Sequence, residues 1–228
     1  MEEKKRKKHK KWPIILSVIA VLLIAGYCYL FLGARITDAS SEVVKGNPDT
    51  HSLIVYFTRS GVITAEGDVD AVSSASMNIH DGVTEQAALQ LQQITGADMF
   101  EIRTARYYRN SYGGTAMAAL IENTLKTRPS LAAVPDNLDQ YDIIYVGYPI
   151  WWFNAPMAIG SFLESYDLSG KTVVPFCTAQ DNGIDVSMDY IRKVSGSATV
   201  LEGYRFNHSS DDDVRAWLTR IGIEKEGN

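Results

Sequence analysis

Three short segments of this 228-residue chain combine residue types that could hold a flat, charged ligand. The first is Thr58-Arg59-Ser60-Gly61, which follows an apolar run. Hydroxyls, a guanidinium and a glycine in that place suit a phosphate, through side-chain donors, free backbone N–H groups and a helix N-terminus behind them. A plain Ser/Thr/Gly turn has the same composition, so this segment alone does not choose between the two. The second is Tyr148-Pro149-Ile150-Trp151-Trp152-Phe153-Asn154, in which five of seven side chains are large and apolar or aromatic. A loop should be exposed there, and an aromatic wall for a flat ligand explains Trp-Trp better than a core role does. The third is Cys177-Thr178-Ala179-Gln180-Asp181-Asn182-Gly183, whose amides can hydrogen-bond to a ring edge.

Other reactive residue types carry less. Cys177 has no His or Asp placed to activate it, and a cysteine at a strand end is more often buried and inert. His9, His51, His80 and His208 show no ligand spacing, and two cysteines exclude a disulfide scaffold. No metal site and no catalytic nucleophile is expected.

Elements of a definite kind must position these segments. Apolar, β-rich runs predict strands at 52–57, 98–103, 142–147, 172–177 and 198–201. Helical spacing predicts helices over 84–95, 116–126, 155–166 and 186–194. In the third of these Pro156 stands near the first position, where its missing N–H costs nothing. Ser210 and Asp213 read as the capping pair of a last helix, with Val214, Trp217, Leu218 and Ile221 on one face. Strands alternating with helices imply right-handed crossovers and a parallel sheet covered on both faces. Pro175 inside the fourth strand leaves that strand's pairing open. In such sheets ligands lie beyond the carboxyl ends of the strands, where all three segments fall.

The formal net charge of −5 hides an asymmetry. Residues 1–11 hold seven Lys/Arg and two acids, a net +5, which leaves −10 for the remainder. Residues 13–33 then run for 21 positions without a charge, which as a helix is about 30 Å, the thickness of a bilayer's hydrocarbon core. Trp12 lies at one end and Tyr27, Tyr29 and Phe31 at the other, as interfacial aromatics do. A basic arm for nucleic acid does not explain the apolar run, and no A-x-A site follows it for signal cleavage. Tyr27 before Cys28 disfavours lipidation. The expected organisation is a basic cytoplasmic tail (1–12), a transmembrane anchor (13–33), a linker (34–50) and one α/β domain (51–228). The Lys/Arg bias leaves that domain outside the cytoplasm.

The segments IVYFTRSG, TGADMFEI, the block from Tyr141 through GYPIWWFNAPMAIG to VVPFCT, and the closing TVLEGYRF resemble the flavodoxin family, in its bacterial branch with a GYPIWW loop. The resemblance runs from about Leu53 to the C-terminus. It implies a flavodoxin-like fold, a five-stranded parallel sheet with helices on both faces, that holds FMN non-covalently for one- or two-electron redox work. Thr58, Arg59, Ser60 and Gly61 match the phosphate loop, and Thr84 its resumption. Pro149, Ile150, Trp151 and Trp152 match the loop that stacks on the isoalloxazine. Thr178, Ala179, Gln180, Asp181, Asn182 and Gly183 match the loop closing the other side.

Two features depart from the family pattern. Residues 62–82 interrupt the phosphate loop, and Gly82-Val83-Thr84-Glu85 resumes it. Closing such an excursion costs little, because the cost grows slowly with length. The third loop has Gln180-Asp181-Asn182 where Gly/Ser is usual, and an anion at the flavin's N1 edge would lower its potential. Within 62–82, Asp70 to Ser76 faintly echoes a covalent flavin-attachment motif; a surface flap is the expected reading. The resemblance implies redox work, expected to be electron transfer, and the apolar run with its Lys/Arg bias puts the expected carrier at the outer face of the cell membrane. Its partner would be a redox protein or a small-molecule electron donor or acceptor. Two alternatives stand beside it: an NAD(P)H- or quinone-dependent FMN oxidoreductase, and a cofactor-free binding module.

Overall fold

Six apolar segments become strands in the computed structural model, which describes residues 11–29, 42–58, 82–106, 108, 112–206 and 208–223. Arg59, Ser60, Gly61 and the whole 62–81 excursion, with its flavin-attachment echo, lie outside the described residues. In chain order the elements are α1 (Trp12–Tyr27), β1 (Ser52–Phe57), α2 (Val83–Thr95), β2 (Asp98–Ile102), α3 (Tyr112–Leu125), β3 (Ile143–Pro149), α4 (Met157–Leu163), β4 (Thr172–Thr178), α5 (Asp185–Val194), β5 (Thr199–Val200), β6 (Tyr204–Phe206) and α6 (Asp211–Arg220). The strands lie in the order β2-β1-β3-β4-β5, all pairs parallel, and β6 also pairs with β4.

Strand periodicity explains the near-continuous apolar runs. Alternate side chains of a strand face opposite sides, and here both sides are covered. Leu53, Val55 and Phe57 pack with Ala158, Ile159 and Phe162 of α4 and Ile191 of α5. Ile54 and Tyr56 pack with Ala87, Ala88 and Leu91 of α2 and Val214, Trp217 and Leu218 of α6. The capping box of α6 is present: Asp213 N–H donates to Ser210 Oγ at 3.2 Å, and Ser210 N–H to Asp213 Oδ2 at 3.0 Å. At the other end of the domain Gly96, at φ 68°, terminates α2 in the left-handed conformation that glycine adopts without strain.

The expected five-stranded sheet has six strands, and Pro175 gives the reason. Thr199 and Leu201 N–H groups donate to Lys171 and Val173 carbonyls, so odd-numbered residues of β4 face that edge. Pro175 is next on the same side and has no N–H to donate. The edge strand breaks there, into β5 opposite 172–173 and β6 opposite 176–178. Two helix starts also differ from expectation. Pro156 is the N-cap of α4, with ψ 143°, so that helix begins at Met157. The third helix begins at Tyr112 rather than Ala116, through Gly113-Gly114, which have low helix propensity.

The expected anchor is only partly described. α1 covers 16 residues with every one exposed, a length of about 24 Å. Among the described residues no helix is long and apolar enough to cross a membrane; positions 30–33 of the expected span lie outside them. The linker is not free throughout its length. Val44 and Met99 exchange two backbone hydrogen bonds of 2.8 Å on the outer edge of β2. Lys45 Nζ, Gly46 N–H and Tyr141 Oη all donate to Asp98, at 2.8, 2.7 and 2.6 Å. Burial pushes the Asp98 carboxyl up, but those three donors outweigh it and hold it below the usual range.

Candidate functional site

β1 is followed in the chain by β2 on one side, while β3 leads to β4 on the other, so the connections leaving β1 and β3 diverge. In open parallel sheets such a divergence is where a ligand crevice forms, at the carboxyl ends of the strands. Thr58 of the first segment, and the second and third segments, lie at these strand ends; Arg59, Ser60 and Gly61 are outside the described residues.

Thr58 follows β1 and is 4% exposed. Thr84, in the first turn of α2, and Thr178, the last residue of β4, are both buried. Their hydroxyls share a 2.7 Å hydrogen bond across 94 positions of sequence. The chain therefore does return to the strand ends after the excursion, as Gly82-Val83-Thr84-Glu85 predicted. The bond also changes the role expected of Thr84. Its hydroxyl is engaged with Thr178 and ties the first turn of α2 to the end of β4.

The aromatic segment is built on a tight turn. Trp151 and Asn154 exchange backbone hydrogen bonds of 2.8 and 3.1 Å, and Trp152 and Phe153 between them have φ of 50° and 58°. Two consecutive positive φ values normally select Asn-Gly, and each costs a bulky residue about 1–2 kcal/mol. Neighbours hold the turn in place. Trp152 Nε1–H donates to the Ala116 carbonyl at 2.7 Å, Asn123 Nδ2–H to the Trp152 carbonyl at 3.3 Å, and Asn154 Nδ2–H to Asn123 Oδ1 at 3.1 Å. Trp152 and Phe153 remain 45% and 67% exposed. Trp151 turns inward instead, edge-on to Phe57 and to Tyr108, with both ring centroids 5.3 Å away. Pro149 ends β3, and Ile150 N–H reaches the Thr178 carbonyl at 3.0 Å, tying the second loop to the third.

In the third loop Gln180 and Asp181 are exposed, and Ala179, Asn182 and Gly183 are half-buried. Cys177 is buried, and burial pushes its thiol up to about 12, as an inert strand-end cysteine requires.

Residue types alone did not reveal three further members. Arg205 of β6 donates to the carbonyls of the third loop. Its distance in sequence from the loop hides it. Half-buried Tyr108, edge-on to Trp151, pairs with buried Glu122, donating its hydroxyl to Glu122 Oε2 at 2.8 Å. Burial raises the Glu122 carboxyl to about 7 against the opposing hydrogen bond from Tyr108. A lone Glu among the small residues of α3 gave a weak signal. Among the described residues no group of His, Cys, Asp or Glu could hold a metal ion.

A doubly wound parallel sheet in the order 2-1-3-4-5, with its loops gathered at the β1/β3 switch point, defines a flavodoxin-like α/β fold. Residues 72–221 match the family model described as Flavodoxin, and the chain belongs to that family. Among solved structures it is similar to a chain from Bacteroides eggerthii, provisionally titled a flavoprotein. That match has 28% identity and a TM-score of 0.61, and covers 76% of this chain and 98% of the other. A second such chain, from Bacteroides uniformis, is 26% identical with a TM-score of 0.59, covering 78% and 99%. A flavoprotein from Lactobacillus acidophilus, solved in complex with FMN, shares the fold at 17% identity and a TM-score of 0.53, covering 73% and 97%. Among curated proteins none matches the sequence.

Proposed function

We propose that this protein binds FMN non-covalently at the β1/β3 crevice and transfers electrons, attached to the outer face of the cell membrane by its N-terminal segment. One observation carries the reading most: in a chain of the flavodoxin family, Thr178 at the end of β4 holds both the first turn of α2, through Thr84, and the start of the aromatic loop, through Ile150 N–H. The donor set fits the group. The segment from Thr58 through Gly61, with the first turn of α2, would hold the phosphate; the Trp151-Trp152 turn would flank the ring; the 178–183 loop would meet its polar edge. Bound there, FMN supplies the capacity to take up and release one or two electrons. The chain's own contribution is to bind, to orient the ring and to keep water from one side of it. That the Lactobacillus acidophilus flavoprotein of the same fold was solved with FMN supports this choice of cofactor.

The purified protein should be yellow, with absorbance near 450 nm, or should take up added FMN stoichiometrically. A colourless protein that binds no FMN would favour the cofactor-free binding module and end this reading. A second reading, an oxidoreductase acting on a quinone or nicotinamide, draws on the Tyr108–Glu122 pair. A buried carboxyl held near about 7 beside the aromatic wall could exchange a proton with a bound substrate. Turnover of NAD(P)H or a quinone by the purified protein would select it.

A further inference from the structure

The third loop has Gln180-Asp181-Asn182 where glycines would let a backbone approach a ring closely, yet it presents donors another way. Arg205 lies on β6 in register with Cys177 of β4. Its guanidinium donates to the carbonyls of Gln180 at 3.3 Å, Asn182 at 3.4 Å and Asp181 at 3.5 Å. Three successive carbonyls thus converge on one cation. In a trans peptide the N–H points opposite to the C=O. The N–H groups of Asp181, Asn182 and Gly183 therefore point away from Arg205. β6 flanks β4 on the side away from β3, so the β1/β3 switch point lies across β4 from Arg205. Among the described residues none of these three N–H groups meets an acceptor in the protein. Arg205 Nε–H is itself buried without an acceptor, a destabilising feature that a purely structural edge-strand side chain would avoid.

We propose that Arg205 is a positioning residue that turns the N–H groups of Asp181, Asn182 and Gly183 into the crevice, where they bind the acceptor atoms of the flavin's pyrimidine edge. The proposal rests on the FMN reading above. It also answers the objection raised by the bulk of Gln180, Asp181 and Asn182, because binding runs through their backbone and not through their side chains. The guanidinium adds a positive charge behind the same peptide groups, and this charge favours electron uptake by a ring seated against them.

The test titrates FMN and riboflavin into the full-length protein freed of flavin, followed by quenching of flavin fluorescence. Wild-type protein that binds neither overturns the FMN reading and this proposal with it. Where wild type binds, Arg205→Ala should weaken FMN and riboflavin by the same factor, roughly tenfold, because the loop meets the ring and not the phosphate. Its midpoint potential should fall, and Arg205→Lys should recover the potential without recovering the affinity. Unchanged affinity, a loss confined to FMN, or an unchanged potential overturns the role. Amide hydrogen exchange on wild type keeps the proposal open to refutation if the alanine variant does not fold. Asp181, Asn182 and Gly183 should exchange freely alone and become protected with FMN; exchange that stays fast in the saturated complex overturns it.

Discussion

Asp181 and Arg205 place opposite charges on one loop, and their burial decides which should dominate. Asp181 is exposed, so water and salt screen its carboxylate; Arg205 is half-buried with its fork fixed on three carbonyls. Asp181→Ala should therefore raise the midpoint potential of bound flavin, but by no more than about 30 mV for a two-electron couple, in a redox titration against wild type. Glu122 allows a sharper prediction. Its carboxyl stands at about 7 when folded against an ordinary 4.5, so between those values the folded chain binds more protons than the unfolded one. Stability must then fall as pH rises through that window. Glu122→Gln, which keeps an acceptor for the Tyr108 hydroxyl and cannot ionise, should flatten that fall by up to about 3 kcal/mol. Urea unfolding at pH 5 and pH 8 measures it, and an equal decline in both proteins would show that Glu122 is not the group responsible.

At the scale of elements, the turn after β3 puts two aromatic residues where glycine is at ease, and strain of that kind points to use. Phe153 is 67% exposed at φ 58°, so it gives the folded core little in return. Phe153→Gly should leave the thermal midpoint unchanged or slightly raised, since relief of strain offsets the added freedom of the unfolded chain. It should weaken FMN several-fold through loss of the aromatic rim; equal affinity would reduce Phe153 to a bystander. Much of this architecture was legible in the sequence. Continuous apolar runs and the 3.6-residue period place β1, β2, β3, β4 and α2 within a residue or two, because those elements bury side chains from many positions at once. The misses have local causes. Split pairing at Pro175 depends on which side of β4 its missing N–H falls, and residue type does not give that parity. Tyr108, Glu122 and Arg205 reach the site through tertiary contacts at separations no spacing rule covers. Thr84, expected to resume the phosphate loop, engages its hydroxyl with Thr178, a partner 94 positions away that local pattern cannot reveal.

For the whole molecule, the charge of −5 is the sum of a +5 segment and a −10 remainder, with an apolar run between them. In the described part of that run every residue of α1 is exposed, including Trp12, Leu16, Leu22 and Leu23. A contiguous apolar surface of this kind is not stable against water and requires a cover. A bilayer fits best, because the flanking charge is basic on one side alone and Trp12 and Tyr27 bracket the run. Among the described residues the attachment to the domain begins at Val43, which packs against the core; Val44 then joins β2 and Lys45 reaches Asp98. Residues beyond 42 therefore belong with the domain, and a cut before that point should leave it intact. The full chain should sediment with membranes and resist extraction by high salt, while a chain starting at Glu42 should remain in the supernatant with an unchanged thermal midpoint. Protease added outside intact spheroplasts should release the domain. Protection there, with cleavage only after lysis, would reverse the orientation assigned from the Lys/Arg bias; a full chain found in the supernatant would remove the membrane from the proposal and leave α1 in need of a protein partner.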